Sequence, residues 1–300
     1  MPVVNVENRN EYALITGATS GFGYELAKLF AKDSINLVLV ARSEERLQEV
    51  TDTLKQAYNV EVTPITCDLF KPDAARELYN EVTARGIIVN YLVNDAGQGE
   101  WGPFIETDLQ RSLDIIQLNI SSLVALTKYF ATDMAARGEG RILQLGSEAG
   151  KAPMPLLAVY AATKAFVISF SVALSNELED TGVTMTVLMP GAADTDFFHK
   201  ANAEITKTYR EEDLQTPEEV AQDGYDALMS GESKVISGGK TKQHVYMANM
   251  MSDQANAANM RKKMEPSDKV DGRDYPQHDA SREERETIGT SSGDRIADKQ

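Results

Sequence analysis

Three hundred residues with 42% hydrophobic and 25% charged side chains lie near the globular average, which excludes a wholly disordered or fibrous chain and accommodates one large domain with an appendage. Lys and Arg number 30 against 46 Asp and Glu, and the formal charge of −16 repels nucleic-acid phosphates and anionic lipid headgroups, so neither nucleic acid nor membrane is an expected partner. The single Cys67 cannot form an intramolecular disulfide, the N-terminus shows no basic and apolar leader pattern, and apolar runs are only strand-length, so a soluble chain in a reducing, cytoplasmic setting is expected.

Over residues 12–187, short β-branched runs alternate with longer segments whose apolar side chains recur at helical spacing, which implies βα units and a parallel sheet. Strands are predicted at Tyr12–Thr16, Asn36–Ala41, 60–66, 91–94, 140–147 and Val183–Met189, with amphipathic helices at 23–32, 44–58, 71–85, 109–136 and 158–179. Continuous apolarity in the strands suits a sheet covered on both faces, so the fold class is α/β, a Rossmann-type doubly wound parallel sheet. Thr216 as N-cap and Pro217 at the first helical position then open a helix Pro217–Ser230. A short strand over 234–237 leads into Gly238-Gly239, and Met247, Met250, Met251, Met260 and Met264 mark two helical pieces divided near Ser252. From Glu265 the composition turns to Asp, Glu, Arg, Ser and Gly with few large apolar side chains, and ordering it would cost entropy that burial cannot offset. Residues 1–264 therefore read as a single domain and 265–300 as a polar, disordered tail.

Two sequence features carry chemistry. The first strand runs directly into Gly17-Ala18-Thr19-Ser20-Gly21-Phe22-Gly23 and a helix, where glycines let the backbone turn tightly and the helix N-terminus stabilises a pyrophosphate. The second is Tyr160-Ala-Ala-Thr-Lys164 near a helix start; the i, i+4 spacing puts both side chains on one face, where the ammonium favours a phenolate. Ser147 lies thirteen positions before Tyr160 at a strand end, and Asn119 lies within the preceding helix.

In order and spacing, these residues together with Asp68-Leu69, Asn94-Asp95-Ala96-Gly97 and Pro190-Gly191-x-x-x-Thr195 resemble the single-domain branch of the short-chain dehydrogenase/reductase family, over about residues 10–235. The resemblance implies an oxidoreductase moving hydride between a nicotinamide and a carbonyl or alcohol. It makes Tyr160 the general acid/base, Ser147 the group bonded to the reacting oxygen, and Lys164 the holder of the nicotinamide ribose. Asn119 would bind a water relaying protons to Lys164. It implies cofactor contacts from Gly17, Thr19, Ser20, Gly21, Phe22, Gly23, Asp68, Leu69, Asn94, Ala96, Gly97, Pro190, Gly191 and Thr195. It also implies a homodimer or homotetramer paired through helices 109–136 and 158–179, and no metal. The second strand ends in Ala41-Arg42-Ser43 with no acidic residue for a ribose 2′-hydroxyl, whereas Arg42 can pair with a 2′-phosphate and Ser43 can donate to it, so NADP(H) is the expected cofactor. Departures from the family pattern are Asp95 in place of a second asparagine and Glu148 after Ser147. Residues 192–208, with Phe197 and Phe198, would form a lid; Trp101, Met154 and Met189 are candidate pocket walls, and His199 is expected at the surface. A different class, a dinucleotide-binding redox sensor with little turnover, is opposed by the intact Asn119, Ser147, Tyr160 and Lys164 set.

Overall fold

A computed structural model describes residues 11–268, so nearly all of the polar tail expected over 265–300 lies outside the described residues. In chain order the elements are β1 Tyr12–Thr16, α1 Gly21–Lys32, β2 Asn36–Ala41, α2 Glu44–Ala57, β3 Val62–Thr66, α3 Ala74–Ala84, β4 Val89–Asn94 and α4 Leu109–Ile116. There follow α5 Leu123–Arg137, β5 Gly140–Leu145, α6 Ala158–Glu177, β6 Val183–Met189, α7 Phe197–Lys200, α8 Lys207–Glu211, α9 Pro217–Ser230, β7 Lys234–Ile236, α10 Gly239–Met250 and α11 Asp253–Met264. Among the described residues seven strands form one parallel sheet in the order β3-β2-β1-β4-β5-β6-β7.

Side-chain alternation along the strands builds the two cores. Ala13 and Ile15 of β1, with Leu37 and Leu39 of β2, pack under Leu26 and Phe30 of α1, Leu47 of α2 and Val220 and Leu228 of α9. Tyr12 and Leu14, with Val38 and Val40, face the other way onto Leu78 of α3 and Leu126, Phe130 and Met134 of α5. Helix α6 covers the β6 end of that face through Val167 and Ile168 against Val187 and Met189. Both faces being covered explains why the central strands are largely apolar on both sides.

Three departures from the sequence reading have physical causes. The helix expected over 109–136 is not continuous: residues Gln117–Ser122 form a π-helical turn between α4 and α5, and Asn119 sits inside it. The lid region carries two short helices, α7 and α8, because Thr206 caps α8 by accepting from the Tyr209 N–H. Packing also runs past Glu265, since Pro266 pairs with Thr206 and the Ser267 N–H donates to the Ile205 carbonyl at 2.7 Å. Among the described residues one helix, the 20-residue α6, is long and apolar enough to cross a membrane by length and composition; its inner face lies on the sheet.

Candidate active site

The chain reverses direction across the sheet between β1 and β4, and the crevice outside their carboxyl ends opens into a cavity of about 550 Å³. It is lined by Gly17, Thr19, Ser20, Gly21 and Phe22 from the first turn, Arg42 and Ser43 from the end of β2, Leu69, and Ala96 and Gly97 after β4. Ser147, Tyr160, Lys164, Pro190, Gly191 and Thr195 complete the predicted set on its wall.

The glycine turn is shaped by close approach. Gly17 has φ +73°, and a Cβ there would lie 3.0 Å from Asp95 Oδ2 and 3.1 Å from the Ala96 backbone; at Gly23 it would lie 2.6 Å from the Gly17 carbonyl oxygen. Helix α1 has neither a side-chain hydrogen bond from its N-cap Ser20 nor an acid in its first turn, so its N-terminus keeps the partial positive charge that suits an anion. Thr195 closes over this turn, its Cγ2 3.3 Å from where a Gly21 Cβ would stand. At the far end, the Arg42 guanidinium lies 4.9 Å from the Phe70 ring centroid. Ser43 caps α2, accepting from the Arg46 N–H, and Arg46 pairs with Asp196 at 3.8 Å. Cys67 lines the same region, where burial pushes its thiol up to about 11 and leaves it unreactive.

Tyr160 and Lys164 project from the first turns of α6 onto one face, and the Lys164 nitrogen lies 5.8 Å from the Tyr160 ring centroid. Burial pushes the Tyr160 phenol up to about 12, against the adjacent Ser147 hydroxyl, which favours the phenolate; Asp95 and Glu148 push in the direction of burial. Burial also draws Lys164 down to about 8, opposed by Asp95. Its ammonium donates to the Leu145 carbonyl at 2.7 Å. The Ser147 oxygen accepts from the Ala149 N–H at 3.1 Å. Phe197 of α7 lies over Tyr160 with ring centroids 4.7 Å apart.

Four predicted residues stand behind the wall. Asn119 is buried, donating to the Gln98 carbonyl and to Thr163 Oγ1, both at 2.9 Å, and accepting from the Gln98 N–H at 3.0 Å. Its Oδ1 and the Lys164 nitrogen both approach Gly97, at 3.5 and 3.4 Å from a Cβ built there. Asn94 is tied to Thr127 and Gln144 under the sheet end, Gly23 packs α1 on the first turn, and the Asp68 carboxylate accepts from the Phe70 N–H. Of the candidate walls, Met154 lines the cavity, Met189 is core, and Trp101 packs with Phe198, donating from its indole to the Met264 carbonyl at 2.8 Å.

Sequence reasoning missed Arg46, Gln98, Glu148, Glu212, Met260, Lys263 and Met264, all on the cavity wall. Glu148 meets His244 at 3.3 Å, and Glu212 meets Lys263 at 3.1 Å. The methionine spacing was the available signal for α11, but not for the face it turns inward.

A model of the short chain dehydrogenase family, by its description "short chain dehydrogenase", matches residues 11–206. The chain belongs to this family. Against the very-long-chain 3-oxoacyl-CoA reductase of Rattus norvegicus, this short-chain dehydrogenase is 34% identical over 186 residues, 60% of its own length and 58% of the relative's. It thus spans less than two thirds of that relative. A short-chain dehydrogenase from Sphingobium yanoikuyae in complex with NADPH superposes with a TM-score of 0.71 at 25% identity, covering 87% of this chain and 100% of that one. The bulky-bulky ketone specific alcohol dehydrogenase from Comamonas testosteroni gives 0.68 at 27% identity, covering 80% and 92%. The family is one of oxidoreductases that use a nicotinamide cofactor.

Proposed function

We propose that this short-chain dehydrogenase is an NADP(H)-dependent carbonyl reductase or alcohol dehydrogenase acting on a small or medium apolar substrate, with Tyr160 as general acid/base. The observation that carries the reading is the meeting, in one cavity, of the glycine cradle, Arg42 with Arg46, and the Ser147, Tyr160 and Lys164 cluster. The residues fit the dinucleotide: Gly17 and Gly21 line the cavity at positive φ, +73° and +57°, with no side chain to occupy the cradle, and the Arg42 and Arg46 guanidiniums stand beyond the end of β2. Gly17, Gly21 and the N-terminus of α1 would hold the pyrophosphate, and Arg42, Ser43 and Arg46 the ribose 2′-phosphate.

When bound, the nicotinamide supplies or accepts the hydride. Tyr160, whose phenol keeps its proton through neutral pH, donates that proton to the oxygen of a carbonyl being reduced, and Ser147 donates a hydrogen bond to the same oxygen. Lys164 stays largely charged at pH 7 and lowers the cost of the phenolate left behind. Asn119 fixes the Gln98 backbone and, through Thr163, the first turn of α6, so it positions the acid as well as lying beside Lys164. Phe197, Phe198, Met154 and Met260 supply an apolar surface for the substrate body. A screen of NADPH oxidation over ketones, aldehydes, quinones and 3-oxoacyl thioesters tests the reading; turnover of NADH alone, or of no carbonyl in the panel, rejects it.

A homo-oligomer belongs to the same proposal. Leu109, Leu113 and Ile116 on α4 and Phe166 and Val172 on α6 are exposed, at 70%, 49%, 38%, 39% and 45%. The exposed apolar side chains lie on α4 rather than along the whole helix expected over 109–136, and Val167 faces the core. A monomer mass by light scattering at micromolar concentration would reject self-association through this face.

A further inference from the structure

Asp95 stands at the turn after β4 and is fixed there by its backbone: the N–H groups of Asp95 and Ala96 both donate to Thr16 Oγ1 at 3.1 Å. Its carboxylate reaches under the glycine turn, 3.0 Å from where a Gly17 Cβ would stand and 2.7 Å from where a Gly23 Cβ would stand, and it accepts from the Gly23 N–H. It therefore occupies the same positive helix end that would receive a pyrophosphate. The charged or titratable groups that face it are Lys164 and Tyr160 of α6 and Lys200 of α7, while β1 offers Thr16 and the first turn of α1 carries no acid. Lys164 donates to Leu145, and Lys200 pairs with Asp196 at 3.6 Å. Two anions would thus compete for one helix terminus.

We infer that Asp95 is a positioning residue of the dinucleotide cradle that must carry a proton when a dinucleotide binds, so that cofactor binding takes up hydrogen ion. The inference rests on the dinucleotide reading of the cavity. The neutral acid still accepts from Gly23 through its carbonyl oxygen, so the turn keeps its shape while the repulsion disappears. Burial already raises this carboxyl to about 7, with Lys164, the Gly23 N–H and Lys200 opposing, and a second anion nearby raises it further. By linkage, dinucleotide affinity falls as pH rises above about 7, by at most about tenfold per pH unit for one proton.

The test is fluorescence titration of the whole protein with NADPH and with NADH from pH 6 to 9, alongside calorimetry in buffers of different ionisation heat to count protons. The 2′-phosphate, with a second pKa of ~6, is fully ionised above about pH 7 and drops out of the slope there. Lys164, held near 8, also titrates in this range, and its share is what persists in Asp95→Asn. The expected result is proton uptake by the wild type and a dissociation constant rising about tenfold or more between pH 7 and 9. Asp95→Asn flattens that rise and binds more tightly than the wild type at pH 8.5. Parallel pH profiles for the two proteins, or zero proton uptake by the wild type, overturn the inference and leave the dinucleotide reading standing. Absence of binding even at pH 6, where Asp95 is protonated, overturns both.

Discussion

The two ends of the cavity are built differently. The end assigned to the dinucleotide is made of backbone: strand termini, a glycine turn, and a helix N-terminus whose N-cap Ser20 makes no side-chain hydrogen bond, all brought together by sheet register between β1, β2 and β4. The other end, proposed for the substrate, is made of side chains carried on and between the helices that follow β6, including Phe197, Phe198, Glu212, Met260, Lys263 and Met264. Backbone geometry demands particular residues at particular spacings, whereas a side-chain wall can be assembled from many. The first end is therefore constrained by covalent stereochemistry, and the second by packing alone.

The comparison is broken most severely at the cluster where the two ends meet. Tyr160→Phe deletes the proton donor and is expected to lower kcat by ~10²- to 10⁴-fold with dinucleotide affinity nearly intact, measured by stopped flow and fluorescence titration. Near-normal turnover would remove Tyr160 from the chemistry. At the backbone end, Gly23→Ala places a methyl 2.6 Å from the Gly17 carbonyl oxygen and 2.7 Å from Asp95 Oδ2. Overpacking of that kind costs ~1–3 kcal/mol, so both melting temperature and dinucleotide affinity should fall. Unchanged values of both would mean that the turn is not tightly built.

Arg42→Ala sharpens the picture by removing one charged group without touching the backbone. A charge-assisted hydrogen bond of ~1.5–3 kcal/mol corresponds to roughly 10- to 100-fold weaker NADPH binding, with NADH little affected. Equal loss for both dinucleotides would assign Arg42 another partner. Asp95 supplies the pH arm. Its carboxyl is raised in the native state, from the ordinary 3.8 to about 7, so the native protein holds a proton that the unfolded chain releases. Stability without cofactor should consequently decline as pH rises from about 4 to about 7, and the melting temperature of Asp95→Asn should decline less over that interval. The smallest effect belongs to the substrate wall. Met260→Ala should widen the pocket and shift kcat/KM between short and long ketones by roughly 3- to 10-fold, leaving dinucleotide affinity unchanged. A change in dinucleotide affinity would show that the two ends are not separable.

The same distinction explains what was legible in the sequence. Period-two and period-3.6 apolar patterns located every strand and the long helices, because both faces of the sheet are buried and each substitution there has a packing cost. The glycine turn and the Tyr160 and Lys164 spacing were legible because i, i+4 geometry and positive φ admit few alternatives. The π-turn around Asn119 was not, since an inserted residue leaves the apolar pattern nearly unchanged. Met189 reads as a pocket wall by chain position, yet alternation along β6 turns it into the core. Nothing in the sequence pairs Glu148 with His244 or Glu212 with Lys263, and only tertiary packing brings these partners together.

The indole of Trp101, the chain's one tryptophan, donates to a carbonyl 163 positions later, at Met264. That single bond closes a loop spanning more than half of the described chain. Loop-closure entropy makes such contacts late arrivals, after the local βα units have formed. During synthesis the glycine turn, β2 and β4 emerge and can pair while α11 has yet to be made. A nascent chain would therefore possess its dinucleotide cradle well before it could enclose a substrate, and tryptophan emission during refolding would follow the closing of the roof rather than the assembly of the sheet.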